Sequence, residues 1–209
     1  MLTNALGAEF RRFENRDHEG KPARVVVAER TYDTDREDLW NALTTRERIP
    51  RWFLPVEGDL KLGGRYQLKG NAGGTITRCE PPQALDLTWE FGGSTSWVTV
   101  RLAPVGKRTQ LTLEHIVRAS DVDEHWTKFG PGAVGVGWDL TLLGLGLHLA
   151  SGDTIPDHEA VHAWMASPEG KAFMRGSANA WAEAHIAGGE NPEVARGMAE
   201  RTAGFYTGG

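Results

Sequence analysis

The chain has 209 residues, 40% apolar and 24% charged, with a formal charge of −5, which suits one large soluble domain or a domain with an appendage. The acidic balance and the lack of a dense Lys/Arg run argue against nucleic acid as a partner, because phosphate-backbone binding needs a positive field. Cys79 is the only cysteine, so an intrachain disulfide and a multi-thiolate zinc knuckle are excluded.

The first residues, MLTNALGAEFRRFENRDHEG, are polar and patternless and lack the apolar run of a signal peptide. Residues 1–22 are expected to form an irregular N-terminal arm, and the protein is expected to be cytoplasmic. ARVVVAERTYDT (23–34) is rich in β-branched residues and predicts a strand. DREDLWNALT follows, with Asp35 as N-cap candidate, acids in the first turn, and Leu39, Trp40 and Leu43 on one face. A second short helical stretch, TRERIPRWF, is interrupted by Pro50.

From residue 55 the period changes. YQLKG (66–70), GTITRCE (74–80), ALDLTWEF (84–91), SWVTVRL (96–102) and TQLTLEHIV (109–117) alternate, and the turn signals LGGR, GNAGG, EPPQ, GGS and PVGKR separate them. Five strands linked by a few residues each make an antiparallel meander. Leu85, Leu87, Trp89 and Phe91 share one face, as do Val98, Val100 and Leu102, and Leu111, Leu113 and His115. The sheet is therefore expected to be covered on one side only.

The cover is the segment from Pro131 to Ser151. Trp138, Leu142, Leu145 and Leu149 fall at helical spacing. A helix of about 20 residues spans roughly 30 Å, enough to cross a sheet. Its Gly135, Gly137, Gly144 and Gly146 each cost about 1 kcal/mol against Ala, so close approaches are expected there. The window AVGVGWDLTLLGLGLHLA carries Asp139 and His148 and reads as a buried helix rather than a membrane span. Residues 152–209 read as three helices, each opening at or near a proline.

This order of elements resembles the START-like, birch-pollen-allergen-like fold (the SRPBCC superfamily). Within it the chain is similar to the branch of the activator of heat-shock protein 90 ATPase homologues. The matching stretches are DREDLWNALTTRERIPRWF (35–53), LGGRYQL (62–68), EPPQALDLTWEF (80–91) and VTVRLAPVGKRTQLTLEH (98–115). The resemblance implies an α+β helix-grip: a curved antiparallel sheet wrapped around a long C-terminal helix, with extra C-terminal helices. It also implies a cavity between sheet and helix in which many relatives hold apolar small molecules. The chain then divides into an arm (1–22), a START-like domain (23–151) and a helical extension (152–209) packed on the domain or on a partner chain.

His158-Glu159-Ala160-Val161-His162 fits the H-E-x-x-H pattern, in which two His one turn apart hold zinc and the Glu acts as general base. Glu183 or His185 would be the third ligand. The competing account is a helix opened by Pro156, with acids in its first turn and an apolar stripe of Val161, Trp164 and Met165. On that account there is no metal site, and no cofactor is implied. Trp164, Phe173, Trp181 and Phe205 would need burial on this chain or in a homodimer contact.

The candidate ligand-binding residues are Trp52 and Phe53, where the resemblance puts the cavity mouth, together with Tyr66, Leu68, Trp89, Phe91, Leu113, His115, Trp138, Asp139 and Leu142. All could equally line a solid core. His115 and Asp139 are polar on apolar faces. They either bond to backbone, water or one another, or act on a ligand. The leading expectation is a domain binding an apolar or amphipathic small molecule, without chemistry. The alternatives are a protein-interaction module acting on a chaperone ATPase, and a cyclase or hydrolase-type enzyme using His115 or Asp139. No nucleic-acid or membrane partner is expected.

Overall fold

The fold was analysed in a computed structural model that describes residues 8–151 and 158–208, His158 by its backbone only. The chain folds as an α+β protein: an eight-stranded antiparallel sheet packed against long helices, with further helices at the C-terminal end. The strands are β1 (Glu9–His18), β2 (Lys21–Tyr32), β3 (Val56–Gly58), β4 (Arg65–Leu68), β5 (Gly73–Glu80), β6 (Ala84–Phe91), β7 (Ser94–Val105) and β8 (Arg108–Arg118). Their order across the sheet is β1-β2-β8-β7-β6-β5-β4-β3. The meander is thus continuous from β3 to β8. The β6–β7 connection is the two residues Gly92 and Gly93, both at positive φ (60° and 83°). Such a turn matches the right-handed twist of the strands it joins.

Residues 1–22 require a correction. Glu9–His18 is a strand at the edge of the sheet, not part of an irregular arm. Its buried positions are Glu9 and Phe13, while Phe10 is exposed. The alternation that would announce a strand is missing because its inward contacts are largely ionic. The turn to β2 places Glu19 (φ 51°) and Gly20 (φ 73°) in the left-handed region, a two-residue hairpin geometry usually held by Asn-Gly or Gly-Gly.

The helices are α1 (Arg36–Thr44), α2 (Glu124–Phe129), α3 (Gly132–Ser151), α4 (His158–Ala166), α5 (Pro168–Ala187) and α6 (Pro192–Thr207). Asp35 caps α1, its carboxylate accepting from the Asp38 backbone N–H at 2.8 Å. Helix α3 is long and apolar enough to cross a membrane by length and composition. Its Val136, Trp138, Leu142, Leu143 and Leu145 are buried, and it is a core helix.

The chain forms two compact units, which cut it differently from a division at residues 151/152. Unit 1 is Met1–Ala28, Arg118–Leu140 and Pro156–Gly209; unit 2 is Glu29–Val117 and Thr141–Ile155. In unit 1 the C-terminal helices and the N-terminal strand fold together. Phe13 meets the edge of His185 at 4.6 Å and lies 6.0 Å from Trp126. Trp181 lies against Gly135 of α3, where an added Cβ would come within 2.4 Å of the indole ring. Thr202 donates to the Phe129 carbonyl at 3.0 Å, joining α6 to α2. Trp164 packs 5.8 Å from Phe173. Phe205 is 63% exposed and Val161 43%, so neither belongs to the buried stripe expected of these helices.

In unit 2 the second half of α3 packs on β2 and on the loop after α1. The Tyr32 hydroxyl donates to the Leu142 carbonyl at 3.0 Å. A Cβ on Gly144 would stand 2.6 Å from the Trp52 carbonyl oxygen, and one on Gly146 2.9 Å from the Arg30 guanidinium. Gly135, Gly144 and Gly146 therefore mark close approaches that the absence of a side chain permits, whereas a Cβ on Gly137 would meet only the Tyr206 hydroxyl at 3.4 Å, so the expectation fails there.

Candidate functional site

The inner face of unit 2 follows from the strand register. Ile76 on β5 faces Leu87 on β6, which faces Val98 on β7, which faces His115 on β8. The next row is Cys79, Leu85, Val100 and Leu113. Alternate residues share a face, so Trp89 and Ser96, a cross-strand pair, stand beside the first row. Ile49, Val56, Tyr66, Leu68 and Ile76 form a buried cluster. Trp52, Phe53, Leu54, Leu60, Cys79, Leu85, Leu87 and Trp89 pack against it while remaining only partly buried. The result is an apolar patch whose floor is closed and whose rim is half open.

The candidates in unit 2 divide into floor and rim. Tyr66, Leu68, Leu113 and Leu142 are buried. The Tyr66 hydroxyl donates to the Thr88 carbonyl at 2.8 Å, and burial, with Glu90 nearby, pushes its phenol up from the ordinary value. Trp52 and Phe53 stack at 5.6 Å with 17° between their planes, and the Trp52 indole N–H donates to the Ala42 carbonyl at 3.0 Å. Phe91, at the last position of β6, is 60% exposed, so it does not share the half-buried state of Leu85, Leu87 and Trp89.

His115 is buried, and burial lowers its imidazole to about 4. Its Nε2 lies 2.9 Å from the Ser96 hydroxyl, which donates to the Trp89 carbonyl at 3.2 Å. The Trp89 ring meets it edge to face at 6.0 Å. Elsewhere in unit 2, Arg48 links α1 to α3: it donates to Asp38 at 2.7 Å and Asn41 at 2.9 Å on α1, and its Nε lies 3.3 Å from Nε2 of the buried His148 on α3. Burial works to raise the Asp38 carboxyl, but hydrogen bonds from Thr34 and Arg48 outweigh it and lower the group overall.

Trp138 and Asp139 belong to unit 1. Both are buried. One carboxylate oxygen of Asp139 accepts from Arg11 Nε at 2.9 Å, from the Trp181 indole at 3.1 Å and from the Ser177 hydroxyl. Arg11 also pairs with Glu9 at 3.1 Å, and both carboxylate side chains are fully buried. Burial raises the Asp139 carboxyl to about 6, against the pull of Arg11 and Ser177. His115 thus has Ser96 as a polar partner, and Asp139 has Arg11, Ser177 and Trp181.

Helix α4 carries the H-E-x-x-H stretch. Glu159 and His162 are exposed, and Pro156 and the His158 side chain lie outside the described residues. Glu183 is exposed, 3.6 Å from Arg196. His185 is buried between Phe13 and Glu190, and burial lowers its imidazole despite Glu190. Among the described residues no three His, Cys, Asp or Glu side chains are grouped to hold a metal ion.

Sequence patterning missed Ser96, although its alternation with Val98 and Val100 puts it on the patch face. It also missed Arg11 and Glu9, whose strand has no apolar signal. The partners of Asp139 on α5, Ser177 and Trp181, are four residues apart, one turn of one helix face.

The family model of Activator of Hsp90 ATPase homolog 1-like proteins matches residues 33–149, more than half of the chain. CalU16 from Micromonospora echinospora is similar over nearly its whole length. Its crystal structure is 33% identical with a TM-score of 0.68, covering 85% of this chain and 98% of CalU16. Its solution structure gives 34% and 0.71, covering 87% and 97%. EF2215 from Enterococcus faecalis shares the fold at 16% identity and TM-score 0.59, covering 91% of this chain and 96% of EF2215. The Aha1 dimer from Colwellia psychrerythraea shares it at 17% and 0.52, covering 62% and 98%. No curated protein matches.

Proposed function

The chain belongs to the family of Activator of Hsp90 ATPase homolog 1-like proteins, and from that premise we propose that it binds an apolar small molecule on the inner face of unit 2. The observation that carries this reading is the half-open patch: Trp52, Phe53, Leu54, Leu87 and Trp89 lie partly exposed around a buried apolar floor. Contiguous apolar surface left to water is unfavourable at roughly 25 cal/mol per Å², and rimmed patches of this kind mark binding surfaces. A few polar groups within an apolar wall are what orients a ligand, and the Ser96–His115 pair supplies them. The reading is one of binding, with no reaction assigned.

Titration of the protein's tryptophan fluorescence, and of a neutral apolar dye, against lipids, flavonoids and polyketides tests it. Saturable binding by at least one class is expected, with Leu87→Asp weakening it at least tenfold while the far-UV circular dichroism is unchanged. Lack of any saturable response contradicts it.

A second reading comes from the family's description: the domain would modulate a chaperone ATPase, and the dimer seen for the Colwellia protein would have a counterpart here. Stimulation of the cognate chaperone's ATP hydrolysis by this chain, at equimolar ratio, would support it; an unchanged rate would remove it.

A further inference from the structure

We propose that the ligand of this patch is a neutral apolar molecule bearing a hydrogen-bond donor, a hydroxyl or an amide N–H, which it gives to the Ser96 hydroxyl oxygen. This inference rests on the small-molecule reading above.

It follows from the direction of one hydrogen-bond chain. The Ser96 hydroxyl has one proton and two lone pairs. Its proton goes to the Trp89 carbonyl at 3.2 Å. The 2.9 Å contact with His115 Nε2 must then run the other way, with the imidazole N–H donating. One lone pair on Ser96 is left, at a part-buried oxygen beside the partly buried Trp89 ring. The matching group on a ligand is a donor. A ligand that is only an acceptor would set lone pair against lone pair.

Charge is selected against by the same wall. Charged side chains of these strands bond on the opposite face: Arg101 pairs with Asp86 and Arg65 with Glu90, and Glu114 accepts from the Thr99 hydroxyl. Val98, Leu87 and Ile76 continue the His115 row in apolar groups only. His115 itself is neutral at physiological pH, since burial lowers it to about 4. A carboxylate or ammonium placed here would lose its hydration without gaining a counter-charge from the Ile76, Leu87, Val98 and His115 row.

Three probes of one size separate the possibilities: 2-naphthol, its methyl ether and 2-naphthoate, titrated by fluorescence into the whole protein. Wild type is expected to bind 2-naphthol roughly tenfold tighter than the ether, the range of one net hydrogen bond, and 2-naphthoate more weakly than either. Ser96→Ala should bring 2-naphthol to the ether's affinity and leave the ether unchanged, while Ser96→Thr, which keeps the hydroxyl, should retain the preference. An undiminished preference in a folded Ser96→Ala variant overturns the assignment of the donor site. Naphthoate binding as tight as the ether overturns the charge selection. Both outcomes leave the small-molecule reading standing. Failure of all three probes and of every compound in the wider panel removes both.

Discussion

His115 in unit 2 and Asp139 in unit 1 are both ionisable groups buried on largely apolar faces, and the two solve the problem in opposite ways. In unit 2, His115 gives up its charge: burial lowers it to about 4, and it bonds as a neutral imidazole to Ser96. In unit 1, Asp139 gathers Arg11, Ser177 and Trp181 around one oxygen, and Glu9 pairs with the same guanidinium through Nη2. Two carboxylates then share one cation, and burial outweighs these partners, so the Asp139 carboxyl is still raised, to about 6, with the Glu9 charge adding a smaller push. Burial tolerates a neutral hydrogen-bonding group easily and a charge only with partners. The difference separates a neutral, hydrogen-bonded wall from a charged network that ties strand to helices.

The sharpest way to break this contrast is to remove the cation. Arg11→Met leaves Glu9 and Asp139 buried without their partner, and stability at pH 7 should fall by about 3–5 kcal/mol. At pH 4.5 the loss should be smaller, because Asp139 is then protonated. Urea unfolding at both pH values checks this, and an equal loss at each would contradict the shared-cation account.

The next effect is the sign of the pH dependence. His115 is lowered from 6.5 to about 4, so its contribution is complete above pH 6.5 and is lost as pH falls towards 4. Asp139 is raised from 3.8 to about 6, so its contribution is complete below pH 3.8 and is lost as pH rises through 6. Each shift corresponds to about 3 kcal/mol, and in the wild type the two slopes oppose each other. Asp139→Asn should therefore leave stability rising from pH 4 to 6.5, and His115→Gln should leave it falling from pH 4 to 6. Matching slopes in the two variants would contradict the assignment.

The smallest effects concern the glycines of α3, which runs through both units. Gly144→Ala pushes a methyl onto the Trp52 carbonyl oxygen and should cost about 1–3 kcal/mol. Gly137→Ala meets only the Tyr206 hydroxyl at 3.4 Å and should gain up to about 1 kcal/mol from helix propensity. Thermal unfolding of the two variants should shift in opposite directions.

Much of this fold could be read beforehand wherever burial is apolar and periodic. The five strands from residue 65 to 118, the Asp35 cap and the helix ending at Ser151 all carry alternation, turn residues or helical spacing. The strand Glu9–His18 escaped because two of its inward side chains, Glu9 and Arg11, are charged and paired, Arg11 with Asp139 more than a hundred residues away, which leaves Phe13 as its buried apolar position. Patterning also cannot tell a strand's last inward position from one left in water, as Phe91 shows, or a helix's apolar residue from an exposed one, as Phe205 shows. Spacing gave His158 and His162 the form of a metal site, but His162 is exposed and the intended third ligand His185 is buried beside Phe13 and Glu190. The patch was legible as a face, from Leu85, Leu87 and Trp89. Its polar pair was legible only in part, because Ser96 is an unremarkable residue until its neighbour across the strands is known.

The central claim, that a ligand occupies the unit 2 wall, is tested most directly by the indole N–H resonances of the tryptophans, assigned with single Trp→Phe variants. Saturation with 2-naphthol should shift Trp52 and Trp89 and leave Trp126 and Trp181 of unit 1 in place. Saturable shifts confined to Trp126 and Trp181 would contradict the account.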